Sequence, residues 1–403
     1  MHESGNVIPF ARPFIGKEEE EAVLRVLRSG WLTTGAEAIA FEKEFCDFLK
    51  MPEFSDDNFI CLAVNSATSG LHLAAEACGI KKGDLVFLPS LTFTATAEIV
   101  RYLGADPVFV DVKPGTFHID PNALEYAIEN KKITGTPKAI IPVHYNGLPC
   151  DMNAIMSIAR KYGLKVIEDA AHSFPSVDFN GNRAGTIGDV GVFSFYANKT
   201  ITTGEGGMVV TEDDEIAKRI SVMRSHGIDR SVWSRYTDLK SSWYYEVVEA
   251  GYKYNLPDIL AAIGRVQLTR AWYLLKMRQE IAAAYDDAFG SDKHFIVPPT
   301  GGGDARHLYP LRINPSFVGI SRNDFIEKLK ENGVGASVHY IPLHIMPFYK
   351  NRYNLNENDF PETMNAYKHE ISLPIWPGMS KEQVTQVIDV VKSIAAEYTK
   401  SPE

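Results

Sequence analysis

Two residues of the chain combine a reactive group with a position at which a folded sheet would present it. Lys199 lies between the aromatic run Gly191–Tyr196 and the glycine-rich turn Thr203–Gly207. A lysine amine partly removed from water has a lowered pKa, which is the condition for a nucleophile that forms a Schiff base. Asp169 directly follows the β-rich residues Val166–Glu168, and the carboxyl ends of strands in α/β sheets are where ligands bind. Taken alone, each residue is also compatible with an ordinary loop position.

Small residues fill the segment Asn65–Leu71, between the first predicted strand and the first predicted helix of the sheet region. Small side chains let a phosphate approach backbone N–H groups, and the positive end of the helix dipole favours its charge. Ser66 and Thr68 are also suited to capping the helix, and both roles are compatible because phosphate would replace water at the same N–H groups. The glycines of residues 204–207 match neither a phosphate loop nor a dinucleotide fingerprint.

An acid at a strand end, a lysine after an aromatic strand and a small-residue helix start are together the parts needed to hold pyridoxal 5′-phosphate. The acid would keep the ring nitrogen protonated, the lysine would bind the aldehyde carbon, and the helix start would take the phosphate. The combination is much more specific than any one part, so the sequence predicts a pyridoxal-phosphate site.

Alternating β-rich and helical runs must position these residues. From about residue 59 to 211 the pattern predicts an α/β domain with a largely parallel sheet of seven strands. The predicted strands are Phe59–Asn65, Asp84–Pro89, Pro107–Asp111, Lys138–Tyr145, Lys165–Ala171, Val190–Tyr196 and Gly207–Thr211. Predicted helices between and after them are Ser69–Cys78, Ala95–Tyr102, Met152–Lys161 with Asp151 as its N-cap, and Asp213–Arg224.

A second, smaller α+β unit follows a long helical pattern over Pro257–Phe289. The pattern there predicts, in order, a strand, a helix, a strand and a terminal helix: Leu308–Ile313, Arg322–Asn332, Ala336–His339 and Lys381–Tyr398. We therefore expect a large domain over residues 1–275 and a small C-terminal domain over residues 276–403.

The amino-acid composition indicates which classes of molecule the protein is suited to bind. The chain has 403 residues and a formal net charge of −10, from 41 Lys+Arg and 51 Asp+Glu, with 45% hydrophobic residues. An acidic chain without a basic stripe argues against nucleic acid and anionic membranes as partners. With neither a cationic start followed by an apolar run nor a membrane-spanning apolar stretch, we expect a cytoplasmic protein. The scattered Cys46, Cys61, Cys78 and Cys150 predict reduced, mostly buried thiols, with no disulfide and no metal site.

Nearly the whole chain resembles the DegT/DnrJ/StrS-type sugar-nucleotide aminotransferases, a branch of the aspartate aminotransferase fold (fold type I). The segments that carry the resemblance are Ser29–Gly35, Ser66–Thr68, Pro142–His144, Glu168–His172, Ser194–Phe195, Lys199, Thr203–Gly207 and Gly251–Leu256. The resemblance implies a pyridoxal-phosphate enzyme that moves the amino group of L-glutamate to the keto carbon, C4, of a nucleotide-linked ketosugar, for surface polysaccharide or glycan synthesis. A sister branch that removes a 3-hydroxyl has histidine at the lysine position, so Lys199 favours transamination.

The same resemblance assigns roles to individual residues. Lys199 is the Schiff-base residue, Asp169 pairs with the pyridinium nitrogen, and His172 lies near the phenolic oxygen of the cofactor. Phe93 falls where the family places an aromatic ring against the pyridine face. The phosphate positions are Ser66, Ala67, Thr68 and Ser194.

Lys253 marks a departure from the family pattern. Many members read Gly-Tyr-Asn-Tyr-Arg where this chain has Gly-Tyr-Lys-Tyr-Asn over residues 251–255. The Lys-Tyr-Asn version resembles the enzyme that forms UDP-linked 4-amino-4-deoxy-arabinose, which favours a UDP-linked 4-ketosugar. In the family this segment reaches the phosphate in the neighbouring subunit, so the resemblance implies a homodimer with shared sites in which Lys253 contacts the cofactor.

Six further residues are candidates for substrate contact: Trp31, Thr34, Arg224, His226, His339 and His344. A metal site at His339 and His344 is disfavoured because their spacing does not suit a helical pair and no nearby acid completes it. Two alternative functions stay open. One is an aminotransferase for a cyclitol or antibiotic sugar, and the other is a regulatory protein that keeps the fold and senses a bound ligand.

Overall fold

The computed structural model describes residues 7–50, 58–130, 133–229, 244–301 and 303–400. The prediction that the chain has no cationic start rests on its first six residues, which lie outside these ranges. No helix in the described part of the chain is both long and apolar enough to cross a membrane.

A seven-stranded sheet forms the centre of the large unit, in the order β1-β7-β6-β5-β4-β2-β3. Its strands are β1 (Ile60–Val64), β2 (Asp84–Pro89), β3 (Asp106–Val110), β4 (Thr136–Ile140), β5 (Lys165–Asp169), β6 (Val190–Ser194) and β7 (Gly207–Thr211). Only β7 runs antiparallel to its two neighbours, and the other pairs are parallel. Every residue of β2, β6 and β7 is buried, as expected of strands with both faces covered. The predicted fold class is confirmed.

Helices cover this sheet. They are α1 (Lys17–Ser29), α2 (Ala36–Leu49), α3 (Ala67–Ala77), α4 (Ala95–Tyr102), α5 (Pro121–Glu129), α6 (Met152–Tyr162) and α7 (Asp214–Met223). The predicted N-cap of α6 is confirmed, because the Asp151 carboxylate accepts the Ala154 N–H at 3.1 Å.

The single long helix predicted over Pro257–Phe289 is wrong. Two helices, α8 (Asp258–Thr269) and α9 (Ala271–Phe289), meet at Arg270, whose φ of −109° and ψ of 7° leave the helical range. The Arg270 guanidinium pairs with the buried Glu19 of α1, while α9 continues into the C-terminal core. Both helices keep the same apolar period, so the break is invisible in the sequence.

The C-terminal unit has its own core around a three-stranded antiparallel sheet, in the order β10-β9-β8. Its elements are β8 (Phe295–Ile296), β9 (Tyr309–Ile313), α10 (Arg322–Glu331), α11 (Pro347–Tyr353), α12 (Pro361–His369), β10 (Glu370–Leu373) and α13 (Lys381–Glu397). The predicted strand Ala336–His339 is wrong, because this segment pairs only at one isolated bridge, between Ser337 and Ser372. The short strands β8 and β10 were not predicted. The boundary at residues 275 and 276 stays a prediction.

The cysteines also differ from expectation. Cys46 on α2 and Cys61 on β1 form a disulfide, with Cα atoms 5.8 Å apart, so the prediction of no disulfide is wrong. Helix α2 packs on β1, and their sequence spacing does not reveal that contact. Cys78 and Cys150 are free and buried, as expected. Within the described ranges no cluster of three or more His, Cys, Asp or Glu side chains is arranged to hold a metal.

Candidate active site

A cavity of about 450 Å³ opens where β5 and β6 end and where the C-terminal unit meets the sheet. Its wall includes nine of the residues singled out in the sequence: Ser66, Ala67, Thr68, Phe93, Asp169, His172, Ser194, Lys199 and His339. Residues from the helix start, two strand ends, the lysine loop and the C-terminal unit therefore converge on one space.

Asp169 is the last residue of β5 and is buried in the cavity wall. Its carboxylate accepts the Thr96 hydroxyl at 2.9 Å and the Ala171 N–H at 3.2 Å. Burial raises the pKa of Asp169, and these two hydrogen bonds oppose the rise. A buried carboxylate is stable only with a cationic or proton-donating partner. The protonated nitrogen of a pyridine ring is such a partner.

The neighbouring Glu168 points to the opposite face of the strand and has a structural role. Its carboxylate accepts the N–H groups of Gly185, Ile187 and Gly188 at 2.6–2.8 Å. The His144 ring contributes a fourth contact at 2.7 Å. Successive residues of a strand point to opposite faces. The bonds of Glu168 therefore fix the end of β5 on one face, while Asp169 points to the cavity on the other.

Lys199 lies on the loop after β6, where its N–H donates to the Tyr196 carbonyl at 3.0 Å. Its Nζ lies 3.3 Å from Nε2 of His307. Burial lowers the pKa of Lys199 to about 7; the charge of Asp169 opposes this shift and that of Arg278 adds to it. Near neutral pH about half of the amines are therefore unprotonated and nucleophilic.

This pKa predicts how the cofactor-free protein captures pyridoxal 5′-phosphate. Only the neutral amine attacks the aldehyde, so the capture rate at Lys199 should rise about tenfold per pH unit below pH 7 and level off above it. Stopped-flow absorbance after mixing would record the rate. An apparent pKa near that of free lysine would contradict the desolvated site.

Arg278 of α9 holds the loop that carries Lys199 in place. This role was not predicted from the sequence. Its buried guanidinium donates to the carbonyls of Asn198 at 2.8 Å, His307 at 3.1 Å and Ile375 at 2.9 Å. A weaker contact reaches the Lys199 carbonyl at 3.4 Å. The signal in the sequence was a cation at a core position of an otherwise apolar helix face, because a buried arginine must have specific partners.

A cluster of aromatic rings closes one side of the cavity. The His172 Nδ1 accepts the Asn146 N–H at 3.3 Å, and burial lowers its pKa well below the ordinary range. The ring is therefore neutral, and its Nε2–H donates to the Tyr340 hydroxyl, 2.9 Å away. The His307 ring lies 4.4 Å from that of His172. Sequence reasoning missed Tyr340 and His307, although Tyr340 lies beside His339.

Helix α3 begins at the cavity wall. Ser66 caps it by accepting the Ser69 N–H at 3.1 Å. A Cβ on Gly207 would lie 2.9 Å from the Ala67 nitrogen, so glycine at this position lets β7 pack against the helix start. Ser194 completes this side of the cavity. The start of helix α3 and the small residues beside it are therefore suited to bind a phosphate.

The chain matches the model of the DegT/DnrJ/EryC1/StrS aminotransferase family over residues 13–392. It belongs to this family. As a family member, the protein is an aminotransferase that depends on pyridoxal 5′-phosphate, and the residues around its cavity fit that cofactor.

Relatives and solved structures resemble this aminotransferase along nearly their whole length. It is 45% identical to the uncharacterized protein MJ1066 of Methanocaldococcus jannaschii, covering 97% of this chain and 98% of that protein. It is 42% identical to the spore coat polysaccharide biosynthesis protein SpsC of Bacillus subtilis, covering 98% of each chain. The putative sugar aminotransferase Spr1654 of Streptococcus pneumoniae, in its PMP form, superposes with a TM-score of 0.87 at 30% identity, over 97% of this chain and 100% of that one. Helicobacter pylori PseC, an aminotransferase of pseudoaminic acid biosynthesis, gives 0.86 at 30% identity, with the same coverage.

Two candidate substrate residues of this aminotransferase do not line the cavity and contact other parts of the fold. The Arg224 guanidinium pairs with Glu42 at 2.5 Å and donates to the Ala63 carbonyl. His344 is fully buried, stacks on Phe360 and is hydrogen-bonded to a serine hydroxyl of the sheet unit. Neither is among the residues that line the cavity, so the structure does not support these two as substrate contacts within one chain.

The other three lie near the segment that the resemblance places at the subunit boundary. The Thr34 hydroxyl donates to the Leu256 carbonyl at 2.6 Å. The Trp31 Nε1–H donates to the Thr34 carbonyl at 3.3 Å, and the His226 N–H donates to the Tyr252 carbonyl at 2.7 Å. They are absent from the described cavity wall, and a substrate role for them stays a prediction.

Lys253 is exposed and also lies outside the cavity wall of its own chain. Its carbonyl accepts the side-chain amide of Asn65 at 3.3 Å, and Asn65 directly precedes the helix start at Ser66. The contact of the Lys253 amine with a cofactor stays a prediction.

Proposed function

We propose that the protein transfers the amino group of L-glutamate to C4 of a nucleotide-linked ketosugar, and that it does so in the cytoplasm for the synthesis of a surface polysaccharide or glycan. The observation that carries the proposal is the meeting of a lysine of lowered pKa, a buried aspartate and a helix start in one cavity. The 42% identity to a spore coat polysaccharide biosynthesis protein supports a sugar substrate.

The cofactor, when bound, supplies an electron sink for the carbon that gains or loses the amino group. Asp169 would hold a proton on the ring nitrogen, and Lys199 would serve as general base and acid at the substrate carbon. The hydrogen-bonded pair His172 and Tyr340 would lie beside the phenolic oxygen. His339, which also lines the cavity, would bind a polar group of the substrate.

Glutamate alone tests the enzyme class. We expect the yellow cofactor-loaded protein to lose its visible absorbance and to release about one 2-oxoglutarate per site without any sugar, because the two halves of a ping-pong reaction are independent. Absorbance and an enzymatic assay of 2-oxoglutarate measure this, and D-glutamate is the matched control. A regulatory protein that only holds the cofactor would leave the spectrum unchanged.

The acceptor is tested with UDP-, dTDP- and GDP-linked 4-ketosugars after the glutamate half-reaction. The Lys-Tyr-Asn sequence at residues 253–255 favours the UDP-linked substrate, and mass spectrometry would detect the amino product. Amination of a free ketocyclitol, with none of any nucleotide sugar, would favour the cyclitol alternative and overturn the proposed acceptor.

We further propose a C2 homodimer in which Lys253 completes the partner's phosphate site. Mixing Lys199→Ala chains with Lys253→Ala chains should then restore activity to about a quarter of wild type, since half of the dimers are mixed and each has one intact site. Steady-state turnover after co-refolding measures the recovery, given that Lys253→Ala alone is impaired. Mixing Lys199→Ala with Asp169→Asn is the control, because both residues line one cavity and two damaged sites remain. No recovery despite proven subunit exchange would exclude sharing.

A further inference from the structure

A buried carboxyl group of the C-terminal unit is connected by hydrogen bonds to a ring in the cavity wall. The His339 Nδ1 lies 2.8 Å from the Ser372 hydroxyl, and that hydroxyl is hydrogen-bonded to Oε1 of Glu370. Oε2 of Glu370 accepts the backbone N–H of His339 at 3.1 Å. Glu370 and Ser372 are at most 1% exposed. We call this chain, Glu370–Ser372–His339, the relay.

The His339 ring is held in place and stays neutral. Phe10 stacks on it with ring centres 5.3 Å apart and planes 26° apart. Burial, and then the charge of Lys199, lower its pKa to about 3. A neutral imidazole carries one proton on one of its two nitrogens. Since Nδ1 is bound to Ser372, the state of Nδ1 decides whether Nε2 is a donor or an acceptor.

The protonation state of Glu370 sets which groups donate and which accept along the relay. When Glu370 is ionised, Oε1 accepts the Ser372 hydroxyl, Ser372 accepts Nδ1–H, and Nε2 keeps its lone pair. When Glu370 is protonated, Oε2 still accepts the backbone N–H, so the proton lies on Oε1 and donates to Ser372. Ser372 then donates to Nδ1, and Nε2 carries the hydrogen.

We propose that Glu370, acting through Ser372, is a positioning residue that switches His339 between a hydrogen-bond donor and an acceptor at the cavity. The use of the switch rests on the proposed function: a substrate carboxylate, which only accepts hydrogen bonds, binds His339 only when Nε2 carries a hydrogen, whereas a sugar hydroxyl, which both donates and accepts, binds either form. The protonation of Glu370 thus controls the binding of the dicarboxylate substrate more than the binding of the sugar.

The surroundings of Glu370 place the switch in an accessible pH range. Burial raises the pKa of Glu370 to about 8, against its hydrogen bonds to Ser372 and His339 and the charge of Arg322 on α10. The Arg322 guanidinium donates to the Glu370 backbone carbonyl at 2.9 Å. Burial and the charge of Glu370 raise the pKa of two phenols, Tyr145 and Tyr340, which are therefore neutral.

A second arginine near Glu370 has another partner. Arg312 of β9 lies opposite Glu370 in the sheet register. Its guanidinium donates to the Gly115 carbonyl at 3.1 Å. Because burial raises the pKa of Glu370 to about 8, we expect the donor form of His339 below about pH 8 and the acceptor form above it.

Nitrogen NMR of the cofactor-loaded protein, labelled with ¹⁵N at its histidine rings, tests the relay. His339→Gln assigns the signal among the 11 histidines. In wild type, Nε2 of His339 should change from the protonated to the unprotonated form as pH rises through about 8. Glu370→Gln should hold Nε2 in the protonated form at every pH, because its amide oxygen must accept the His339 N–H and its NH₂ must donate to Ser372.

Two serine variants separate the relay from general effects of substitution. Ser372→Ala should remove the pH dependence, whereas Ser337→Ala, on the paired position opposite, should preserve it. Binding of glutarate, a five-carbon dicarboxylate, should weaken about tenfold above the transition in wild type but not in Glu370→Gln. An Nε2 form that does not change with pH in wild type would overturn the proposal. A changing Nε2 in a protein that fails to convert glutamate would support the relay and overturn the proposed amino donor.

Discussion

Replacing Lys199 with alanine should abolish amino transfer, lowering kcat by about 10⁴-fold or more. The side chain combines two roles, covalent attachment of the cofactor and proton transfer at the substrate carbon. No other lysine is among the described residues of the cavity wall, so within one chain no described amine is positioned to replace it. The fold should survive, because Arg278 holds the loop through backbone carbonyls that alanine retains.

Borohydride reduction and peptide mapping measure the covalent role directly. Wild-type protein should carry the reduced cofactor on the peptide that contains Lys199, and the variant should carry none. Lys276→Ala, at an exposed position of α9, is the matched control and should behave as wild type. Reduced cofactor on another lysine of the wild-type protein would show that the assignment of Lys199 is wrong.

Replacing Asp169 with asparagine should lower kcat by about 10²–10⁴-fold with little loss of stability. A neutral amide cannot hold the ring nitrogen protonated while charge develops on the cofactor. The amide has the same shape as the carboxylate. Its oxygen can accept the Ala171 N–H, and its NH₂ can donate to the Thr96 hydroxyl, whose proton can turn to Thr92, 2.8 Å away.

Glutamate half-reaction kinetics and thermal unfolding together test this role. Asp151→Asn is the matched control, since asparagine caps a helix as well as aspartate does and Asp151 lies at the start of α6. The control should change neither rate nor Tm. An Asp169→Asn protein that keeps a rate within about threefold of wild type would contradict the proposed pairing with the ring nitrogen.

The sequence was sufficient for the sheet and for the residues at its edge. Asp169 ends a strand, Ser66 caps a helix and Lys199 follows an aromatic strand. Carboxyl ends of parallel strands meet at one edge, so residues recognised by local pattern were expected to converge. All three lie on one cavity, and Ser194, which the family resemblance identified, lines it as well.

The side-chain contacts between distant parts of the chain were decided by tertiary packing alone. His307 lies 108 positions from Lys199 along the chain, and Ser372, which is hydrogen-bonded to both Glu370 and His339, lies 33 positions from His339. Arg224 resembled a substrate residue, but the folded chain pairs it with Glu42, 182 positions away. The break at Arg270 and the disulfide between α2 and β1 arise in the same way. A residue's type and neighbours predict its local structure, whereas its hydrogen-bond partner depends on how distant elements pack, which local periodicity does not encode.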